Sequence, residues 1–230
     1  MKRPLLLDLY CCEGGASKGY ADAGFTVEGV DIDPKVAKRY PFSFRRMDAI
    51  EYVRQHGHKY DAVHASPPCQ GYSVTASSLS REQLAKHPLL LAETRRALKE
   101  TGKPYIIENV VGAPLFAPTL LCGSMFGLTA TDDDGSTVRL ERHRLFESNL
   151  QLSAPAPCRH DPRIPVAGIY GGGRSKRNGG GKRGGYTPVK AVRADLLGVH
   201  RMSQLGLSEA IPPAYTTWLG GILMEHLERE

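Results

Sequence analysis

Cysteine is scarce in this sequence, and its spacing offers no pairing. Cys11, Cys12, Cys69, Cys122 and Cys158 are five in number, odd and irregularly placed. That argues against a disulfide framework and suits a reducing compartment. Long apolar runs are missing too. No stretch approaches the roughly 20 uninterrupted apolar residues of a membrane span. Leu5 to Leu9 is too short for a signal-peptide core, and it is cut by Asp8 with no small-residue cleavage site behind it. A soluble, cytoplasmic protein with no membrane partner is the expectation. There is no internal repeat. The Gly-x-Gly-x-x-Gly spacing of dehydrogenases is also absent, which counts against a nicotinamide cofactor.

What is present suits one large domain, or one domain with a small appendage: 230 residues with 41% hydrophobic content. The net charge of +6 is unevenly distributed. Between Cys158 and Arg193 stand Arg159, Arg163, Arg174, Lys176, Arg177, Lys182, Arg183, Lys190 and Arg193, against the single acid Asp161. This segment carries +8 and leaves the rest of the chain at about −2. A near-neutral body with one concentrated basic stretch points to local contact with a polyanion.

Residues 4–9 read as a buried parallel strand ending in glycines, followed by a helix over Ala16 to Ala23 and a second strand over Phe25 to Val30. Asp33 as N-cap and Pro34 as first helical residue predict a helix through Tyr40. Tyr60 to Ala65 and Lys103 to Asn109 read as further strands, with a helix over Leu84 to Lys99 between them. This βαβ rhythm implies a doubly wound parallel sheet. Beyond it, Leu120 to Leu128 and Val138 to Glu147 look strand-rich around the polar turn Thr131 to Gly135. Tyr170 to Tyr186, with eight glycines and five basic residues, reads as flexible, and Ala194 to Leu227 returns to a helical pattern.

Four groups of residues could carry chemistry. Asp8-Leu9-Tyr10, with Gly14-Gly15, makes a strand, a glycine turn and a helix start, and Asp31 lies where an acid can meet ribose hydroxyls. Close packing alone would equally explain the glycines. Pro67-Pro68-Cys69-Gln70 follows a strand, where two prolines fix the backbone and present a thiol. Glu108-Asn109-Val110 ends the next strand, and a carboxyl emerging from apolar Ile106-Ile107 has reason for a raised pKa. Alternation along Arg142-His143-Arg144 puts both guanidiniums on one strand face and the imidazole on the other. Taken singly, the last three also read as a structural cysteine, an edge acid and a solvated strand face.

Their order is that of the DNA (cytosine-5) methyltransferase family, which the chain resembles over residues 5–148 and again over roughly 197–221. Asp8-Leu9-Tyr10 with Gly14-Gly15 is similar to the family's first motif, Asp31-Ile32-Asp33 to its second, Pro67-Pro68-Cys69-Gln70 to its nucleophile motif, Glu108-Asn109-Val110 to its glutamate motif, and Arg142-x-Arg144 to its paired arginines. The resemblance implies a Rossmann-like α/β methyltransferase fold using S-adenosylmethionine. Asp8, Tyr10, Gly14, Gly15, Asp31, Ile32, Asp48 and Pro68 would line the donor site. Cys69 would be the nucleophile, and Glu108, Arg142 and Arg144 its catalytic partners. Gln70 and Ser73 would line the approach of a base flipped from double-stranded DNA, and a monomer is expected.

The family's separate recognition domain has little room here. The expected division is a catalytic unit over residues 1–148, a short basic glycine-rich insertion over 149–196 whose Arg174, Lys176, Arg177, Lys182 and Arg183 would grip phosphates, and a closing segment over 197–230 that packs back on the catalytic unit. Gly220-Gly221 stands where many members carry Gly-Asn-Ser, which leaves room for a modified sulfonium donor. Cys11 and Cys12 replace the small residues usual in the first motif. Cys158-Arg159-His160 with Cys122 or His143 matches no standard zinc spacing, so no metal is expected. The same chemistry on RNA is the rival activity. A catalytically inactive DNA-binding relic, or a subunit of a split enzyme, is the non-enzymatic rival.

Overall fold

Leu5–Leu9 (β1) lies inside a seven-stranded sheet, flanked on one side by Thr26–Asp31 (β2) and on the other by Ala62–Ala65 (β4), parallel to both. Ser43–Arg46 (β3) extends the sheet beyond β2, and Tyr105–Asn109 (β5) extends it beyond β4. Arg144–Ser148 (β9) then runs antiparallel between β5 and Thr119–Leu121 (β6), giving the order β3-β2-β1-β4-β5-β9-β6. Thr129–Thr131 (β7) and Thr137–Arg139 (β8) form a separate hairpin around the polar turn. The structure, a computed structural model, describes residues 3–72, 89–170 and 186–229.

Strand alternation sorts the core into two layers. Leu7, Leu9, Val63, Ala65 and Ile107 face the helices Ala49–His56 (α2) and Leu91–Glu100 (α3), meeting Ile50, Val53, Ala97 and Leu98. Leu6, Ala62, Ile106 and Phe146 face Gly15–Asp22 (α1) and Pro213–Leu227 (α6), meeting Tyr20, Tyr215, Leu219 and Leu223. Each such fully buried side chain contributes roughly 1.5–3 kcal/mol. The chain leaves β1 toward β2 and later returns beside β1 as β4. The loops after β1 and β4 therefore diverge above the carboxyl ends of the strands and open the crevice where doubly wound sheets bind ligands.

A third core joins Val138 and Leu140 to Ala167, Ile169, Val192, Leu196 and Leu207. It spans the expected boundary at residue 148, so the described part of residues 149–196 packs onto the β7–β8 hairpin. Lys190–Leu197 (α4) and Gln204–Glu209 (α5) belong to this layer. The helix begins before Ala194, and it buries Arg193, whose guanidinium donates to the Tyr170 carbonyl. Arg193 is thus unavailable to a phosphate.

The helix expected from Asp33 to Tyr40 is only the single 3-10 turn Val36–Lys38. Asp31 Oδ1 accepts from Asp33 N, and Asp33 Oδ1 from Lys35 N. Two successive side-chain turns compete with helix propagation there. In the expected helix over Leu84 to Lys99, the portion before Leu89 lies outside the described residues.

Candidate active site

Cys69 sits on a turn fastened from both sides. Ser66 N donates to Leu9 O (3.2 Å), Asn109 Nδ2 to Pro67 O (3.0 Å), and Tyr72 N to Cys69 O (3.0 Å). At the end of β5, Glu108 is buried and meets Arg144 Nε at 2.9 Å. Burial pushes the Glu108 carboxyl up, against the opposing pull of Arg144, Arg142 and a hydrogen bond from Ser66. Burial likewise pushes the Cys69 thiol up. Glu108 adds to that shift, while Arg144 and Arg142 oppose it. The thiol, carboxyl and guanidinium expected to act together therefore converge. A buried chain runs beneath them, from Tyr20 Oη to His64 Nδ1 (2.9 Å) and from His64 Nε2 to Ser66 Oγ (2.8 Å). Burial lowers the His64 pKa to about 3, so the imidazole stays neutral.

Arg142 departs from the strand reading. Its φ is 37°, and β9 begins only at Arg144, so the pleat that would align the two guanidiniums is broken. Arg142 Nε donates to Ala210 O (2.9 Å), Nη1 to Ile169 O (3.2 Å) and Nη2 to Ser208 O (2.7 Å). Burial, with Arg144 beside it, lowers its pKa to about 9. Tyr215 Oη donates to the carbonyls of Glu141 and Arg142, at 3.2 and 3.0 Å. Arg142 thus fastens the arginine loop to the C-terminal segment, and Arg144 alone reaches Glu108.

On the donor side, Tyr10, Cys12 and Gly14 all take positive φ (58°, 46° and 88°), the first two at a steric cost that concentrates at functional sites. Asp31 Oδ2 accepts from Cys12 N at 3.0 Å and ties β2 to this turn. Ile32 stands 66% exposed beside it. Asp48 Oδ1 caps α2 through Ile50 N and Glu51 N, both at 2.9 Å, and the residue remains exposed. The exposed Ile32 side chain and the carboxylates of Asp31 and Asp48 are groups that could hold an adenosyl moiety. Pro68 is half-buried behind Cys69.

Asp8 is a correction to this set: it is buried, its carboxyl takes the Ser17 hydroxyl, and burial raises its pKa to about 7. It holds the floor of the turn and does not face the crevice. Gly14 and Gly15 have packing reasons as well. A Cβ on Gly14 would stand 3.0 Å from Pro41 Cδ, and one on Gly15 2.8 Å from Ile211 O. Tyr10 Oη is engaged by Thr94 Oγ1 at 2.8 Å.

Gln70 is exposed next to Cys69. Ser73, Arg174, Lys176, Arg177, Lys182 and Arg183 lie outside the described residues. Of the other basic residues, Arg163 pairs with Asp161 at 2.7 Å, while Arg159 and Lys190 are exposed. Chain spacing gave no metal set, yet the fold brings Cys122, His143, Cys158 and His160 together. Sequence reading also missed Asn109, His64 and Ser66 as supports of the site, because their roles arise only across neighbouring strands. A buried pair, Arg95 with Glu147 at 2.6 Å, was missed for the same reason; it holds the backbone at Pro114 and Phe116.

Residues 5–114 match the family model described as C-5 cytosine-specific DNA methylase. The Type II methyltransferase M.XorII of Xanthomonas oryzae pv. oryzae is 31% identical over 129 residues, which are 49% of this chain and 29% of that protein. The chain thus spans under a third of that relative's length. Two solved structures align over nearly all of the chain. One is a DNA modification methyltransferase encoded within an E. coli prophage, with TM-score 0.61, 14% identity, and 99% and 100% of the two chains covered. The other is a methyltransferase of Entamoeba histolytica, with TM-score 0.55, 11% identity, and 99% of each chain covered. At such identities they bear on the fold alone, which is the Rossmann-like fold of methyltransferases.

Proposed function

We propose that this chain, whose residues 5–114 match the model of C-5 cytosine-specific DNA methylases, methylates C5 of cytosine in double-stranded DNA through a covalent adduct at Cys69. The observation that carries the reading is the pair of buried Glu108 with half-buried Arg144 beside the Cys69 thiol, at the crevice between the β1 and β4 loops.

Cytosine C5 is a weak nucleophile. Attack of the Cys69 thiolate on C6 forms an S–C6 bond and moves the ring electrons toward N3 and O2. Glu108, held protonated more readily than an ordinary carboxyl, donates its proton to N3. Arg144 stays against the carboxylate left behind and offers its remaining donors to O2. The enamine's C5 would then bond to the methyl carbon as the methyl–sulfonium bond breaks and a neutral thioether leaves. Asp31, Ile32 and Asp48 would hold S-adenosylmethionine, which would supply that electrophilic methyl group. Loss of the C5 proton to water restores the C5–C6 double bond and expels the Cys69 thiolate, and the N3 proton returns to Glu108. C6 is unreachable inside a base stack, so the cytosine must be extruded into the crevice, past Gln70.

The test is transfer of labelled methyl from S-adenosylmethionine to duplex DNA and to tRNA in parallel, with Cys69→Ala alongside. Label at cytosine C5 of duplex DNA, abolished in the variant, is the expected result. Label on tRNA alone would move the substrate to RNA, and a Cys69→Ala protein that still methylates would overturn the covalent route. Trapping on 5-fluorocytosine DNA reads the adduct directly, because fluorine at C5 blocks the final proton loss.

A further inference from the structure

Four side chains that methyl transfer does not use gather on the far side of the arginine loop. Cys122 directly follows β6, His143 stands between Arg142 and Arg144, and Cys158 and His160 come from the segment after β9. We propose that these four residues bind one zinc ion, and that this structural site anchors the segment around residues 158–160 to the arginine loop.

The geometry is close to what the ion requires. His160 Nε2 lies 3.3 Å from both Cys122 Sγ and Cys158 Sγ, and His143 Nε2 lies 3.3 Å from Cys158 Sγ. All four donor atoms fall within 4.8 Å of one another. Tetrahedral zinc, with Zn–S near 2.3 Å and Zn–N near 2.0–2.1 Å, places neighbouring N and S ligands about 3.6 Å apart. Adjustments of a few tenths of an ångström at these N–S edges would admit the metal there. Both cysteines are free thiols. Two thiolates and two neutral imidazoles cancel the ion's charge and close its coordination, as a structural site does and a catalytic one does not.

The surroundings support the ligands as well. His160 Nδ1 lies 3.4 Å from Glu141 Oε1, and Arg139 Nη2 fixes that carboxylate at 2.6 Å. A carboxylate behind a ligating histidine orients the ring and selects its tautomer. Ser124 Oγ donates to Cys122 Sγ at 3.3 Å, a contact that favours thiolate. The site also answers a structural need. Residues 152–165 contain no helix or strand, and most of them are exposed, so little apolar burial holds them. The ion would bind them to the end of β6 and to His143, whose neighbour Arg144 pairs with Glu108.

The experiment uses the full chain, purified under reducing conditions without a histidine tag. Elemental analysis should find about one zinc per chain in the wild type and in Cys69→Ser, which alters no proposed ligand. His160→Ala and Cys158→Ser, both changes at exposed positions, should lower that content by about tenfold or more. Replacement by cobalt should give the intense visible absorption of a tetrahedral thiolate site, and chelation should lower the Tm of the wild type. A reduced wild-type chain that stays metal-free with equimolar zinc would overturn the proposal. So would variants that hold as much zinc as the wild type, or an isolated chain in which Cys122 and Cys158 are disulfide-bonded. None of these measurements depends on methylation, so a failure of the proposed activity would leave the metal result standing on its own.

Discussion

In the proposed reaction Cys69 attacks as a thiolate, yet its surroundings favour the thiol, through burial first and Glu108 second. Replacing Glu108 by Gln removes the negative charge and keeps the shape. Alkylation of Cys69 by iodoacetamide near neutral pH should therefore become faster in Glu108→Gln, while methyl transfer falls by roughly 10²-fold or more for want of a proton donor. Alkylation at an unchanged or slower rate would show that Glu108 does not govern the thiol. Asp8 gives a second titration at this scale, with its pKa raised to about 7 by burial. The folded state therefore binds a proton that the unfolded chain has released, so this contribution to stability is full below the ordinary carboxyl pKa and is lost as pH rises through 7. The loss is about 1.4 kcal/mol per pH unit while the folded group stays protonated and the unfolded one ionised. Asp8→Asn should lose less stability than wild type between about pH 5 and 7, read as urea midpoints across that range. Parallel curves for the two proteins would refute the shift.

At the scale of elements, strands were more legible than their connections. β1, β2, β4 and β5 are short apolar runs bounded by turns, and such runs can be read locally. The turn at Asp31 and Asp33 could not be, because Asp33-Pro34 is equally a sound helix start and only the two carboxylate-to-backbone hydrogen bonds decide. Arg142-His143-Arg144 looked like a pleated strand because nothing local announces a positive φ at an arginine. Three carbonyls from residues 169, 208 and 210 hold Arg142 there, and all three are distant in sequence. This clamp is testable. Arg142→Ala leaves those carbonyls partly buried without their donor, at a cost of about 1–3 kcal/mol. The urea midpoint should fall with an unchanged slope, and Arg142→Lys should not restore it, because one ammonium cannot reproduce the planar fork. Full stability in Arg142→Lys would reduce the clamp to a simple charge effect.

For the molecule as a whole, the placement of Cys69, Glu108 and Arg144 together was legible because each follows or opens a strand at the same edge of a parallel sheet, and sheet topology does the rest. That the closing segment over 197–230 packs back on the catalytic unit was expected from the resemblance, but its contacts were not legible: α6 packs on α1, and Tyr215 and Ala210 grip the arginine loop. The charge distribution was plain from composition, yet burial divides it. Arg193 is internal and Arg163 is paired. If DNA is the substrate, the five basic residues Arg174, Lys176, Arg177, Lys182 and Arg183 carry most of the remaining positive charge of their segment. Each phosphate contact contributes about 0.9 to the slope of log affinity against log salt. Changing all five to Gln should therefore weaken duplex binding at low salt and flatten that slope by as much as about 4. Binding in near-molar salt, and the urea midpoint of the free protein, should change little. Titrations of one duplex at several salt concentrations measure this. An unaltered slope would mean that the phosphates are held elsewhere, with exposed Arg159 and Lys190 the next residues to replace.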